Sequence, residues 1–192
     1  DSENVKRLKK IGIKVKIGHD KKNLRKVNAV VFSSAISQQN PEIKEAKKKH
    51  IPIVSRADML SELMKNKKCI AVAGSHGKTT TTSLVGNILE SGKLDPTIVN
   101  GGIINSLSKN NKFGKGKWMV VEADESDGSF LKLPHQISII TNLDIEHLDY
   151  YKTPKKLYSS FEKFIMNLPF YGTSIVNEDD KNLRKIIQKN DT

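Results

Sequence analysis

Short apolar runs of strand length alternate along this chain with longer stretches of helical periodicity. A continuous apolar run is typical of a strand buried on both faces, and its alternation with helices indicates a parallel sheet with crossover connections. The pattern therefore predicts an α/β fold built from parallel sheets and crossover helices. The predicted strands cover residues 13–17, 29–32, 53–54, 69–73, 97–99, 118–123, 137–141 and 174–176.

Helices are predicted between these strands, and several have recognisable ends. Pro41 and Pro154 can each open a helix, since proline tolerates the first helical turn, and Thr153 can cap the second of them. Gly92 stands just beyond the end of a third helix. The predicted helices cover residues 3–10, 57–65, 79–89 and 182–187, together with the two that begin at the prolines.

The polar stretch Asn66-Lys-Lys68 separates an amphipathic helix from a buried strand and is the best candidate for a domain boundary. A length of 192 residues lies between the usual sizes of one domain and two. We therefore predict two domains, residues 1–67 and residues 68–192.

The cationic residues are mostly lysines, and they give the chain a formal net charge of +12. Specific base recognition relies on the arginine fork, and only four arginines are present, so nucleic acid is not an expected partner. No apolar stretch reaches the ~20 residues that span a bilayer. The single cysteine, Cys69, fits a reducing compartment, and the first residues resemble neither a secretory leader nor a natural start. We expect a cytoplasmic protein whose N-terminus is cut.

A glycine-rich loop, Gly74-Ser-His-Gly-Lys-Thr-Thr80, joins a predicted buried strand to a predicted helix. A helix N-terminus directs free N–H groups and partial positive charge at a phosphate. Lys78 can reach the terminal phosphates of a nucleotide, and the Thr79 hydroxyl can ligate Mg²⁺. The loop is a shortened variant, because Val72 stands where the general pattern has its first glycine. The alternative, a glycine turn opening a helix, leaves the Gly-Lys-Thr-Thr run unexplained.

Two further polar clusters follow predicted strand ends. In Glu122-Ala-Asp-Glu-Ser-Asp127, strand alternation places Glu122 and Asp124 on one side, where they can meet Mg²⁺. An ordinary acidic loop is the alternative. In Asn142-Leu-Asp-Ile-Glu-His-Leu-Asp149, acidic neighbours flank His147 and can orient it as a metal ligand, although the residues alone leave a structural role equally open.

Together these three motifs resemble those of the Mur ligase family. Three shorter segments also resemble the family, so that the similarity covers nearly the whole chain: Ser33-Ser-Ala-Ile36, Asn40-Pro-Glu42 and Asn100-Gly-Gly102. The histidine in the glycine loop and the Glu-Ala-Asp-Glu-Ser-Asp run favour the family member that adds L-alanine to UDP-N-acetylmuramate, a peptidoglycan precursor. The member that recycles a tripeptide is the nearest alternative. Two alternatives belong to other classes: a nucleotide-dependent regulator with a phosphate loop, and a lysine-rich module that binds nucleic acid.

The resemblance implies a three-domain enzyme. Residues 1–67 would be part of a Rossmann-like domain for the UDP-sugar, and residues 68–192 part of the central ATPase domain. The opening strand and UDP loop of the first domain and the whole third domain are expected to be missing. We therefore expect a fragment that is inactive by itself.

The resemblance also assigns roles to residues. ATP would phosphorylate the carboxylate of UDP-N-acetylmuramate, and the amine of L-alanine would attack the acyl-phosphate. Lys78, Glu122 and His147 would be catalytic, and Thr79, Glu122 and His147 would hold Mg²⁺. ATP would contact Gly74, Ser75, His76, Gly77, Lys78, Thr79, Thr80 and Asn142, and the substrates would contact Ser34, Asn100, Gly101 and Asp124. The oligomeric state stays open.

Overall fold

The computed structural model describes residues 2–100 and 112–190. Its α-helices are α1 (Glu3–Lys10), α2 (Pro41–Lys48), α3 (Arg56–Met64), α4 (Lys78–Ser91), α5 (Leu148–Tyr151), α6 (Pro154–Met166) and α7 (Lys181–Asn190). Its strands are β1 (Val30–Phe32), β2 (Ile53–Ser55), β3 (Lys68–Ala73), β4 (Thr97–Val99), β5 (Trp118–Glu122), β6 (Ile137–Ile140) and β7 (Thr173–Val176). Short 3₁₀ helices cover Lys21–Leu24 and Ser129–Lys132. The α/β fold predicted from the sequence is confirmed.

The chain divides into two compact units, one within residues 1–59 and the other within residues 60–192. In the first unit β1 and β2 pair in parallel, with Val30 opposite Ile53. Asn40 caps α2 by accepting a hydrogen bond from the backbone N–H of Glu42 at 2.8 Å, and Ile43 on that helix is buried. The division falls within α3, before the predicted boundary at residues 66–68.

The strand predicted at residues 13–17 is not formed, and that prediction is wrong. The alternation of Ile and Lys there satisfies the strand period, but a strand also needs a partner for its backbone groups. The backbone N–H of Ile13 instead donates to Leu8 O and finishes α1, next to Gly12 with a φ of 85°. Ile13 and Ile17 are 48% and 73% exposed, as expected of a segment outside any sheet.

The second unit contains a five-stranded parallel sheet in the order β4-β5-β3-β6-β7. The central strand, β3, has Val72 opposite Glu122 of β5 and Ala73 opposite Ile140 of β6. The carboxyl ends of these three strands are therefore level. The loops that follow them emerge side by side at one edge of the sheet.

Alternate residues of β3 pack into cores on the two faces of the sheet. Cys69, Ala71 and Ala73 belong to a core that includes residues of α6 and α7, whereas Ile70 and Val72 pack in a core flanked by α4. Burial raises the pKa of the Cys69 thiol to about 11, so it is an inert core residue. Helices therefore cover both faces of the sheet, which explains why β3 is continuously apolar from Cys69 to Ala73. Among the described residues, no helix has the length and apolar character that a bilayer span requires.

Candidate active site

Three loops meet at the carboxyl edge of the second unit's sheet. Gly74 follows β3, Ala123 follows β5 and Thr141 follows β6. The connection leaving β3 leads to β4 at one edge of the sheet, and the connection leaving β6 leads to β7 at the other. Adjacent strands whose connections diverge leave a crevice beyond their carboxyl ends, which is the usual ligand site of open α/β sheets.

Two glycines set the path of the phosphate loop between β3 and α4. Gly74 has a φ of 135°, and a Cβ added there would lie 2.1 Å from Thr141 Oγ1. Gly77 has a φ of 78° and is the N-cap of α4. Both positions favour glycine for its backbone freedom, and Gly74 requires it for the close approach of the neighbouring loop as well.

The loop after β6 holds the phosphate loop from the side. Asn142 Oδ1 accepts from His76 N at 2.7 Å, and Asn142 Nδ2 donates to His76 O at 3.0 Å. Thr141 Oγ1 donates to the same carbonyl at 2.7 Å. Asn142, which was predicted to contact ATP, therefore contacts the phosphate loop in this structure. The backbone N–H of His76 donates its hydrogen bond to Asn142.

The side chain of His76 points to two carboxylates of the same neighbouring loop. Its Nε2 lies 3.1 Å from Asp144 Oδ2 and 3.5 Å from Glu146 Oε1; His76 and Asp144 are mostly exposed, and Glu146 is half-buried. The sequence pattern had paired these carboxylates with His147. Neighbouring side chains diverge in this irregular turn, where His147 has a φ of 55°.

Lys78 folds back into its own loop and meets a buried carboxylate. Its Nζ donates to Gly74 O at 2.6 Å and to Ser75 O at 3.3 Å, and both oxygens of Glu125 lie 2.9 Å away. Glu125 is only 1% exposed. Burial raises the pKa of its carboxyl group, although the hydrogen bond from Lys78 acts in the opposite direction.

Thr79 and Glu122 meet directly, as the magnesium prediction requires. Thr79 Oγ1 lies 2.9 and 3.1 Å from the two carboxylate oxygens of Glu122. These are the hard oxygen donors that Mg²⁺ prefers. No group of three or more His, Cys, Asp or Glu side chains is arranged to hold a metal in residues 2–100 and 112–190. The arrangement fits Mg²⁺, which commonly takes one or two protein ligands and completes its shell with water and phosphate.

His147 and Asp124 occupy positions that the sequence did not predict. His147 Nε2 lies 3.7 Å from Glu125 Oε1. Asp124 is exposed, and its Oδ1 accepts a hydrogen bond from Ser126 N at 3.0 Å. Because β5 ends at Glu122, strand alternation does not extend to Asp124. The acidic residue that turns inward is Glu125, which the sequence analysis did not single out.

The remaining predicted site residues are distributed over the chain. Thr80 is exposed in the first turn of α4, and Asn100 is half-buried directly after β4. Ser34 is exposed in the turn after β1, within the first unit. Gly101 lies outside the described residues.

Comparison with known families decides what this site belongs to. Residues 72–192 match the family described as the Mur ligase middle domain, and residues 1–68 match the Mur ligase family, catalytic domain. The chain belongs to the Mur ligase family. The resemblance inferred from the three motifs is confirmed.

Individual Mur ligases resemble the chain over nearly its whole length. The UDP-N-acetylmuramate–L-alanine ligase of Xanthobacter autotrophicus is 54% identical over 176 residues, which are 92% of this chain and 37% of that protein. The enzyme of the same name from Granulibacter bethesdensis is 51% identical over 187 residues, 97% of this chain and 39% of that protein.

A solved structure gives the same picture. The UDP-N-acetylmuramate-alanine ligase MurC of Thermotoga maritima superimposes on this chain with a TM-score of 0.84 at 31% identity. The superposition covers 97% of this chain and 43% of the Thermotoga chain. The chain thus spans about two fifths of the length of these Mur ligases.

Proposed function

We propose that this chain is the nucleotide-binding part of a ligase that joins L-alanine to UDP-N-acetylmuramate, driven by ATP. The observation that carries the proposal is the phosphate loop in which Thr79 faces Glu122 at the end of β5 and Lys78 faces Glu125 just beyond it. The names of the relatives support the choice of substrates.

ATP would lie with its phosphates over the loop. The first N–H groups of α4 have no partner within the helix and point toward the loop, where they can bind phosphate oxygens. Lys78 would add a positive charge beside the terminal phosphates. Gly74, Ser75, Gly77 and Thr80 would line the phosphates, while His76 and Asn142 would hold the shape of the loop.

Mg²⁺ would bind at Thr79 and Glu122, with His147 near a second ion or the terminal phosphate. The ion supplies charge that neutralises phosphate oxygens as the phosphoryl group is transferred. The protein residues fix where that charge lies. The donor set of a hydroxyl and a carboxylate at hydrogen-bond distance supports this assignment.

The proposed reaction has two steps. A carboxylate oxygen of UDP-N-acetylmuramate attacks the γ-phosphorus of ATP and releases ADP, which leaves an acyl-phosphate. The amine of L-alanine then attacks the acyl carbon, phosphate leaves, and the nitrogen loses a proton. Lys78 would stabilise the charge on the transferred group, because positioned cations are the main source of catalysis in phosphoryl transfer. Ser34, Asn100, Gly101 and Asp124 remain proposed substrate contacts, and the cytoplasm remains the proposed compartment.

Oxygen transfer tests the proposed chemistry. A protein that contains this chain at the full length of its relatives is incubated with ATP, L-alanine and UDP-N-acetylmuramate labelled with ¹⁸O in the carboxylate. We expect one ¹⁸O in each phosphate released, because the acyl-phosphate carries a substrate oxygen to phosphorus. Unlabelled phosphate would exclude this intermediate. Replacing L-alanine by a tripeptide should suppress product formation, and efficient use of the tripeptide would favour the recycling ligase instead.

A further inference from the structure

The Lys78 ammonium group has no donor to spare in the conformation observed. An ammonium has three N–H donors. Its contacts are two carbonyl oxygens of the phosphate loop, Gly74 O and Ser75 O, and the carboxylate of Glu125. The side chain of Lys78 is 14% exposed and that of Glu125 is 2% exposed, so water screens this ion pair weakly. A phosphate can bind Nζ only by displacing one of these contacts.

Glu125 is the fixed member of the pair. Its backbone carbonyl accepts hydrogen bonds from the Tyr151 hydroxyl at 2.5 Å and from Gly128 N at 3.0 Å. Tyr151 is itself buried, at the end of α5. The turn that presents the carboxylate is therefore tied to the helix that follows His147. Because the backbone of this turn is anchored, we expect Lys78 rather than Glu125 to shift if a phosphate binds.

We propose that Glu125 is a positioning residue that competes with nucleotide phosphate for Lys78 and keeps the lysine folded into its loop until a nucleotide displaces it. This inference rests on the proposed binding of ATP. Glu125 Oε1 also lies 3.7 Å from His147 Nε2, so the same carboxylate faces both Lys78 and His147. Its role is to lower the affinity for nucleotide while defining where Lys78 and His147 lie.

Replacing Glu125 by glutamine removes the charge while preserving the size and shape of the side chain. A neutral amide holds an ammonium less strongly than a carboxylate does. We expect E125Q to bind Mg·ADP about tenfold more tightly, since a charged hydrogen bond no longer competes with phosphate. At the full length of the relatives, KM for ATP should fall and kcat should fall with it. A residue that merely supports the fold would instead raise KM.

The experiment is a double-mutant cycle measured by calorimetric titration of this chain with Mg·ADP. The proteins are wild type, E125Q, Lys78→Met and the double variant, because a cycle isolates the interaction between two residues. Asp127→Asn is the matched control. Asp127 is an exposed carboxylate two positions along the same turn that accepts a hydrogen bond from Ser129 N, which asparagine can also accept.

The expected result is tighter binding by E125Q, no change in D127N, and no effect of E125Q when Lys78 is already methionine. Equal or weaker binding by E125Q, with wild type binding normally, overturns the inference. So does an E125Q effect that persists without Lys78. Absence of ADP binding by wild type would overturn the proposed nucleotide site, and this inference with it. If thermal unfolding shows that E125Q does not fold, Glu125→Asp replaces it in the experiment. This variant withdraws the charge by one methylene and should tighten Mg·ADP binding to a smaller extent. Unchanged or weaker binding by E125D overturns the inference.

Discussion

At the scale of single residues, the site is defined by two pairs of groups that bring loop and strand end together. Thr79 donates to Glu122, and Lys78 donates to Glu125. Each pair joins the first turn of α4 to the carboxyl end of β5 or the turn just beyond it, which lies beside the loop because β3 and β5 are neighbours. The first pair is suited to a metal ion and the second to a phosphate.

The Thr79 hydroxyl should matter for magnesium and not for nucleotide alone. Thr79→Val keeps the shape of the side chain and removes the oxygen that faces Glu122. We expect the affinity for Mg·ADP to fall about tenfold, because one metal ligand is lost, while the affinity for ADP without Mg²⁺ stays unchanged. Titrations with and without Mg²⁺ measure both values. Thr81→Val, two positions along α4, is the control and should bind like wild type; equal losses with and without Mg²⁺ would refute the metal role.

Gly74 should not tolerate a side chain. In Gly74→Ala the new Cβ would lie 2.1 Å from Thr141 Oγ1, and the φ of 135° is strained for alanine. We expect the phosphate loop to shift and the Kd for Mg·ADP to rise at least about tenfold. Gly92→Ala is the matched control, since its φ is −75° and its nearest neighbour would lie at 3.5 Å. Nucleotide binding by G74A at wild-type strength would show that this close approach does not shape the site.

Residue types and spacing made part of the site predictable. Lys78 and Thr79 follow from the glycine loop alone, and Glu122 follows from its place at a strand end. Glu125 does not follow, because its inward direction depends on a turn held by Tyr151, which is 26 residues away in the chain. The pairing of His76 with Asp144 is likewise a product of two loops meeting in space.

At the scale of elements, α6 packs against a buried histidine that lies just before β6. His135 stacks on Phe164 of α6 with ring centroids 4.4 Å apart, and its Nδ1 lies 2.8 Å from Leu133 O. Phe164 in turn stacks on Phe130 at 5.0 Å. Burial lowers the pKa of His135, so folding favours the neutral form of this ring.

The stability of the second unit should therefore depend on pH through His135. As the pH falls through about 6.5, the unfolded chain binds more protons at this histidine than the folded chain does, so stability falls as the pH decreases. The loss is at most about 1.4 kcal/mol per pH unit for one such group. Urea unfolding followed by Trp118 fluorescence at pH 7.5 and 5.5 measures it. His135→Phe keeps a ring beside Phe164. Between pH 7.5 and 5.5 its free energy of unfolding should fall by about 1 kcal/mol less than that of the wild type. An identical pH dependence in both proteins would contradict the assignment.

Elements with a strong pattern were predicted closely, and the exceptions have physical reasons. The continuous apolar run at residues 69–73 corresponds to β3, because a strand buried on both faces leaves no room for polar residues. The strand predicted at residues 13–17 does not form, because an alternating pattern carries no information about a neighbouring strand to pair with. The short helix α5 was missed because four residues are too few to show a helical period.

At the scale of the whole molecule, the chain divides into two compact units, and the proposed phosphate and magnesium contacts belong to the second. The family match extends over both units, with residues 1–68 and 72–192 matching different parts of the Mur ligases. Relatives are more than twice the length of this chain, since it covers 37% and 39% of the two compared. The nucleotide site and the complete reaction therefore need separate tests.

The net charge of +12 also belongs to this scale. A basic surface attracts anionic ligands over a distance of about one Debye length, ~10 Å at 0.1 M salt. Such a field does not specify a ligand, whereas the geometry around Lys78 supports the proposed phosphate site. The prediction that this chain binds phosphate therefore rests on the seven residues of the loop and not on the charge of the whole chain.

The coupling of phosphate release to both substrates tests the central claim most directly. A protein containing this chain at the full length of its relatives is supplied with Mg·ATP, and phosphate is measured with UDP-N-acetylmuramate, with L-alanine, with both and with neither. We expect rapid release only when both are present, with one amide formed for each phosphate, because the acyl-phosphate needs one substrate to form and the other to be consumed. Nucleotide hydrolysis that is indifferent to both substrates would contradict the ligase and favour a nucleotide-dependent regulator.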